Sequence, residues 1–202
     1  MAPTPHIILA STSPYRKELL SRFRLPFDVQ SPLVDETPHP GENPMALALR
    51  LAVAKAHAVA RLHPDAIVIG SDQVADLNGV PMGKPGHHAR AVLQLQAMSG
   101  QMVQFHTAVA VVAPSRQLEQ ARMVTVHVKV RELQASEIEH YLQIEEPYDC
   151  AGSAKAEGLG ITLLSSIEST DPTALIGLPL IATSELLRAA GVDLLPAPEV
   201  QP

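Results

Sequence analysis

The chain has 202 residues, 46% of them hydrophobic, and a formal net charge of −6, so it is long enough to bury a core and too apolar to be disordered. The acidic balance, with no Trp and only three Phe and three Tyr, argues against a nucleic-acid polymer as partner. Such binding needs many neutralised phosphates or a base-stacking platform. In chain order, residues 6–10 are a short apolar run that predicts a buried strand. Ser13 suits a helix N-cap and Pro14 the first helical position, which predicts a helix over 14–24. Phe27 to Ser31 reads as a second short strand, and Pro38-His39-Pro40-Gly41 as a loop. Asn43-Pro44 then opens a helix over roughly 44–62. Ala66-Ile67-Val68-Ile69 predicts a buried strand that ends at Gly70-Ser71-Asp72-Gln73. Asn78-Gly79 predicts a hairpin between Val74–Leu77 and Val80–Met82.

Gly86 to Met98 reads as a helix with Gly100 at its end. Val103, Phe105, Thr107, Val109 and Val111 alternate, as do Val124, Val126, Val128 and Val130. Both runs predict strands, antiparallel across a polar loop at 114–120. Ser136-Glu137-Ile138-Glu139 reads as a capping box for a helix to about Ile144. A last helix over 179–190 is closed by Gly191, and the Pro-rich tail 196–202 reads as disordered. The pattern predicts one α/β domain over residues 1–195, a mixed twisted sheet flanked by helices. The N-terminus lacks the long apolar core of a signal peptide, and no apolar run is long enough to span a bilayer. The single cysteine, Cys150, excludes an intrachain disulfide and suits a reducing compartment. A cytoplasmic protein with no membrane partner is expected.

Polar residues gather at three element ends, where α/β proteins build their sites. In the first, the hydroxyl turn Ser11-Thr12-Ser13 opens a helix start that bears Arg16 and Lys17. Free N–H groups there attract phosphate, and the cations strengthen that attraction; an ordinary capped helix with solvated charges would read the same way. The second is Gly70-Ser71-Asp72-Gln73, followed by Gly83-Lys84-Pro85, and the third runs from Asp149 to Gly158. A carboxylate such as Asp72 at a strand end can hold a divalent metal on a phosphate or take a proton from water. An Asx-turn residue is the plainer alternative. Val34-Asp35-Glu36 offers further oxygen ligands. The nine histidines fall in no metal-ligand spacing, and Cys150 reads as a small buried side chain.

Several segments together resemble the Maf family of nucleoside triphosphate pyrophosphatases. They are Leu9-Ala10-Ser11-Thr12-Ser13-Pro14-Tyr15-Arg16-Lys17, Val34-Asp35-Glu36, Arg50-Leu51-Ala52-Val53-Ala54-Lys55-Ala56, Gly70-Ser71-Asp72-Gln73-Val74, Gly83-Lys84-Pro85, Cys150-Ala151-Gly152-Ser153 and Gly177-Leu178-Pro179. They lie in family order and cover the chain from residue 6 to about 191. The resemblance implies hydrolysis between the α and β phosphates of a nucleotide, assisted by a divalent cation, Mg²⁺ or Mn²⁺. It also implies an elongated two-lobed fold with a central cleft, shared with the inosine triphosphatases, and a homodimer. Asp72 is then the proton acceptor, and Arg16, Lys55 and Lys84 bind the triphosphate with Ser11 donating from the turn. Glu36 is implied as a metal ligand, shared with Asp72. Lys17 stands where many members carry a second arginine, so it keeps the charge without the bidentate contact.

The family divides at three positions, occupied here by Tyr15, Gln73 and Glu157. The branch acting on dTTP and UTP usually has Arg, Thr and Gln there. This chain is similar instead to the 7-methyl-GTP branch, which has an aromatic (usually Trp), Gln and Glu. N7-methylation makes the purine cationic, and an aromatic face over a cation contributes roughly 0.5–2 kcal/mol. A carboxylate near the base adds attraction, in part cancelled by its own desolvation. The expected preference over GTP is about 1–3 kcal/mol. The alternatives are dTTP, UTP or another modified nucleotide as substrate, or a nucleotide-binding regulator of cell division that does no hydrolysis. Asp72 among cations favours an enzyme, since a pure binder needs no base.

Overall fold

The computed structural model describes residues 5–195; the tail 196–202 lies outside the described residues. Among these residues the strands form one mixed seven-stranded sheet. Strand β1 (Ile7–Ala10) lies between β2 (Asp28–Gln30) and β3 (Ile67–Leu77), parallel to both. All four β1 residues are buried, as expected of a central parallel strand covered on both faces. Strand β4 (Val80–Met82) folds back along β3 from the Asn78-Gly79 turn. β5 (Met102–Ala113), β6 (Leu118–Val130) and β7 (Leu164–Glu168) extend the sheet antiparallel on the other side of β3. The mixed sheet flanked by helices matches the expectation.

Side-chain alternation divides the interior. Helices α1 (Pro14–Ser21) and α5 (Leu180–Ala189) cover one face, where Leu19, Leu20, Leu186 and Leu187 meet Ile7, Leu9, Ile69, Val109 and Val111. Helix α2 (Pro44–Ala60) covers the other, with Ala48, Ala52 and Ala56 against Ile8, Val68, Ala108 and Ala110. The small residues bring α2 very close to β3. A Cβ on Gly70 would fall 2.6 Å from the Ala56 backbone nitrogen and against the Ala52 carbonyl. A third cluster lies between α3 (His88–Met98) and α4 (Ala135–Glu145), built on Leu95, Ile138, Tyr141, Leu142 and Leu163.

The structure corrects one boundary that matters for function. β3 does not end at Gly70 but runs unbroken to Leu77, so Asp72 sits within a strand. Pairing with β5 from Val68↔Val112 to Asp76↔Gln104 supplies the backbone partners that hold this polar stretch extended. On the opposite edge, β1 stops at Ala10↔Gly70 and β4 begins at Ala75↔Met82. Residues 71–74 therefore have no strand on that edge, and the functional groups collect in the gap.

Other differences are local. α1 ends at Ser21 and α2 at Ala60, earlier than their apolar patterns suggest, and α3 starts at His88, leaving Gly86 outside. The capping box is not opened by Ser136. Glu137 reaches back to the Gln134 N–H at 2.8 Å, which places Ser136 inside α4. β7 has no counterpart in the sequence reading, because Leu164-Ser165-Ser166-Ile167-Glu168 is a largely exposed edge strand without a buried face.

Candidate active site

The end of β1 turns through Ser11, Thr12 and Ser13 into α1. Ser13 Oγ accepts the Arg16 N–H at 3.4 Å, Ser11 Oγ accepts the Ser13 N–H at 3.1 Å, and Pro14 occupies the first turn of the helix, where no donor is needed. This turn forms one wall of a cavity of about 440 Å³, the scale of a small-molecule site. Arg16 spans the wall and donates from Nε to the Gly177 carbonyl at 2.8 Å. Burial pulls its pKa down while Asp72 and Glu36 hold it up, and the guanidinium stays charged. Ser71 Oγ lies 3.0 Å from the same Gly177 oxygen and 2.7 Å from Ala108 O, so the 174–177 turn is fastened to β3 and α1 together.

Lys55 rises from α2 toward the gap in the sheet edge. Its Nζ is 2.6 Å from Asp72 Oδ1 and 2.7 Å from Glu36 Oε1, with the lysine and Asp72 side chains both buried. The two carboxylates respond differently to this shared cation. Burial pushes the Asp72 carboxyl up, against the pull of Lys55 and Arg16 and helped by the charge of Glu36. Burial also works against Glu36, but Lys55, Lys84 and Arg16 outweigh it and hold that carboxyl below its ordinary value. A pair of acids pushed apart in this way suits one to proton transfer and the other to permanent negative charge.

Tyr15 and Glu157 also line the cavity. Burial, reinforced by Cys150 and Asp149, raises the Tyr15 phenol to about 12, so it presents a neutral ring. Burial pushes the Glu157 carboxyl up, against its own backbone N–H and Lys155. Gln73 Nε2 lies 2.9 Å from Ala174 O, 2.9 Å from Leu175 O and 3.0 Å from Thr107 Oγ1. Its side chain thus braces the turn that lines the cavity. Cys150 also lines it, but burial and Asp149 push the thiol up to about 12, which leaves no thiolate to act as a nucleophile.

The cavity therefore gathers Ser11, Tyr15, Arg16, Glu36, Lys55, Gln73, Lys84 and Glu157. It does not gather Lys17, which is exposed on α1 and lines none of it. Asp72, 7% exposed, lies behind Lys55 rather than on the wall. Sequence reasoning missed Ser71 and Thr107 as supports, because a hydroxyl within an apolar strand carries no pattern of its own. It also missed the pairing of Lys155 with Glu145, at 2.6 Å, since the two come from elements whose packing is not local.

Among the described residues, no three His, Cys, Asp or Glu side chains converge as a metal cage. Glu36 and Asp72, joined through Lys55, are two hard oxygen donors beside the cations of the cavity. That donor set fits Mg²⁺ or Mn²⁺, which commonly takes one or two carboxylates and completes its shell with substrate phosphates and water. Among the described residues, no helix is long and apolar enough to cross a membrane.

The chain has relatives that match it over nearly its whole length. A 7-methyl-GTP pyrophosphatase of Polaromonas sp. (strain JS666 / ATCC BAA-500) is 62% identical over 195 residues, covering 96% of this chain and 89% of that protein. A 7-methyl-GTP pyrophosphatase of Albidiferax ferrireducens is 58% identical, covering 95% of this chain and 96% of that one. Another of Bordetella avium is 59% identical, covering 98% of this chain and 100% of that one. The family model described as Maf-like protein matches residues 6–190, and the chain belongs to the Maf family.

Proposed function

We propose that the protein is a nucleoside triphosphate pyrophosphatase that hydrolyses 7-methyl-GTP to 7-methyl-GMP and pyrophosphate. The observation that carries this reading is Lys55, bridging Asp72 and Glu36, on a cavity that Tyr15 and Glu157 also line. Relatives named for this activity share more than half of its sequence.

Arg16, Lys55 and Lys84 neutralise the triphosphate, and Ser11 adds a hydroxyl donor from the turn. As Lys55 engages a phosphate it loosens its hold on Asp72. The raised carboxylate then takes a proton from the water that attacks the α-phosphorus in line. The bond from the α-phosphorus to the bridging oxygen breaks, and pyrophosphate leaves with that oxygen. A Mg²⁺ or Mn²⁺ held by Glu36 and Asp72 would supply Lewis-acid stabilisation of the leaving group. At the base end, Tyr15 offers an aromatic face to the methylated ring and Glu157 a carboxylate to its N–H groups. Family likeness further supports a single unit over residues 1–195, two-lobed and elongated, acting as a homodimer on a free nucleotide. A lone cysteine suits the cytoplasm.

The site of attack is testable with heavy-oxygen water. Turnover of 7-methyl-GTP in H₂¹⁸O should place the label in 7-methyl-GMP, read by mass spectrometry. Label in pyrophosphate would mean attack at the β-phosphorus and would overturn the assigned reaction.

A further inference from the structure

Tyr15 already has a cation on its ring. Lys155 Nζ lies 5.8 Å from the ring centroid, within reach of an attractive contact. A positively charged base stacked on Tyr15 would meet that ammonium as a like charge. The site can favour a cationic base only if this repulsion is cancelled.

Glu145, at the end of α4, is placed to cancel it. Its Oε1 is 2.6 Å from Lys155 Nζ, and solvent reaches only 26% of the lysine side chain and 14% of the glutamate. Its other oxygen accepts the Leu159 N–H at 2.7 Å. A Cβ on Gly158 would stand 2.6 Å from Glu145 Oε2, so the chain presses directly on this carboxylate. On the other side, the Lys155 N–H donates to the Tyr141 hydroxyl at 3.1 Å, and that hydroxyl donates to Ser153 O at 3.2 Å. Neither Lys155 nor Glu145 lines the cavity. Lys155 lies over the ring of Tyr15, which does line it, so the pair acts on a ligand through charge. Lys155 also works against the upward shift that burial imposes on Glu157, which favours its ionised form.

We propose that Glu145 and Lys155 are positioning residues that set the charge balance of the base end. Glu145 neutralises Lys155 so that Tyr15 and Glu157 accept a cationic base. The inference rests on the 7-methyl-GTP reading and deepens it.

The test is KM and kcat for 7-methyl-GTP and for GTP in wild type, Glu145→Gln, Lys155→Met and the double variant. Gln keeps an oxygen for the Leu159 N–H, so the first variant removes charge without removing the anchor. With Lys155 uncompensated, the KM for 7-methyl-GTP should rise about tenfold relative to that for GTP. Lys155→Met should shift the ratio the other way, and the double variant should return it toward wild type. The change should fall in KM rather than kcat, because the base carries the same charge in ground and transition states. Parallel shifts for both nucleotides in every variant would mean that the pair only holds segment 153–160 in place, and would overturn the inference. A raised KM for both nucleotides in Lys155→Met would overturn it too, as the mark of a phosphate ligand. Wild type without preference for the methylated base would overturn the substrate reading itself. Wild-type preference with flat variants would sink the charge balance alone.

Discussion

Burial raises the Asp72 carboxyl above its ordinary value, against the pull of Lys55 and Arg16. That is costly for folding and useful for taking a proton. A folded-state pKa raised above the unfolded value means the fold binds that proton more tightly. The stability this group contributes is present in acid and is lost as pH rises from the ordinary aspartate range through the raised value. Two consequences follow for Asp72→Asn at neutral pH. Turnover should fall by about 10²–10⁴-fold, the range for loss of a general base, and the thermal midpoint should fall because the buried Lys55 ammonium loses one of its two carboxylate partners. Wild-type kcat/KM should fall on the acid side with an apparent pKa above that of a free aspartate. A variant that keeps substantial turnover would remove Asp72 from this role. At this scale the sequence was informative because phosphate and base recognition need particular side chains. It said nothing of depth, and so could not tell that Asp72 sits behind Lys55 or that exposed Lys17 lines none of the cavity.

The central element is β3, and its continuation past Gly70 was not legible in sequence. Gly-Ser-Asp-Gln after a run of Ala, Ile and Val reads as the end of a strand, since glycine and short polar residues favour turns. The stretch stays extended because each polar group finds a distant partner. Ser71 meets the 174–177 turn, Asp72 meets Lys55 of α2, and Gln73 braces Ala174 and Leu175. Local composition contains none of those contacts. Gly70 is the element-scale test, because α2 packs where its Cβ would be. Gly70→Ala must push α2 off β3, carrying Lys55 away from Asp72. We expect a loss of about 1–3 kcal/mol in denaturant unfolding, the usual cost of overpacking, together with a drop in kcat beyond any effect on folded fraction. Wild-type stability and turnover would show that the close approach of α2 to β3 does not position Lys55. Capped helices and the Asn-Gly hairpin, by contrast, were readable because their signals are local.

Across the whole molecule, an acidic chain of net charge −6 places Arg16, Lys55 and Lys84 on one cavity. That concentration suits a single small anion. The third core, between α3 and α4, packs Leu159 and Leu163, which follow the cavity residue Glu157 in the chain. Its existence was not legible, since packing between α3 and α4 leaves no periodic mark that distinguishes it from packing on the sheet. The proposed chemistry and the proposed base specificity share one cavity, and one measurement tests both. Purified protein with Mg²⁺ or Mn²⁺ should be given equal concentrations of 7-methyl-GTP, GTP, UTP and dTTP in separate reactions, with pyrophosphate release followed in each. Release led by 7-methyl-GTP, roughly 10- to 200-fold ahead of GTP, is the predicted result; release led by UTP or dTTP, or none with either metal, would contradict it.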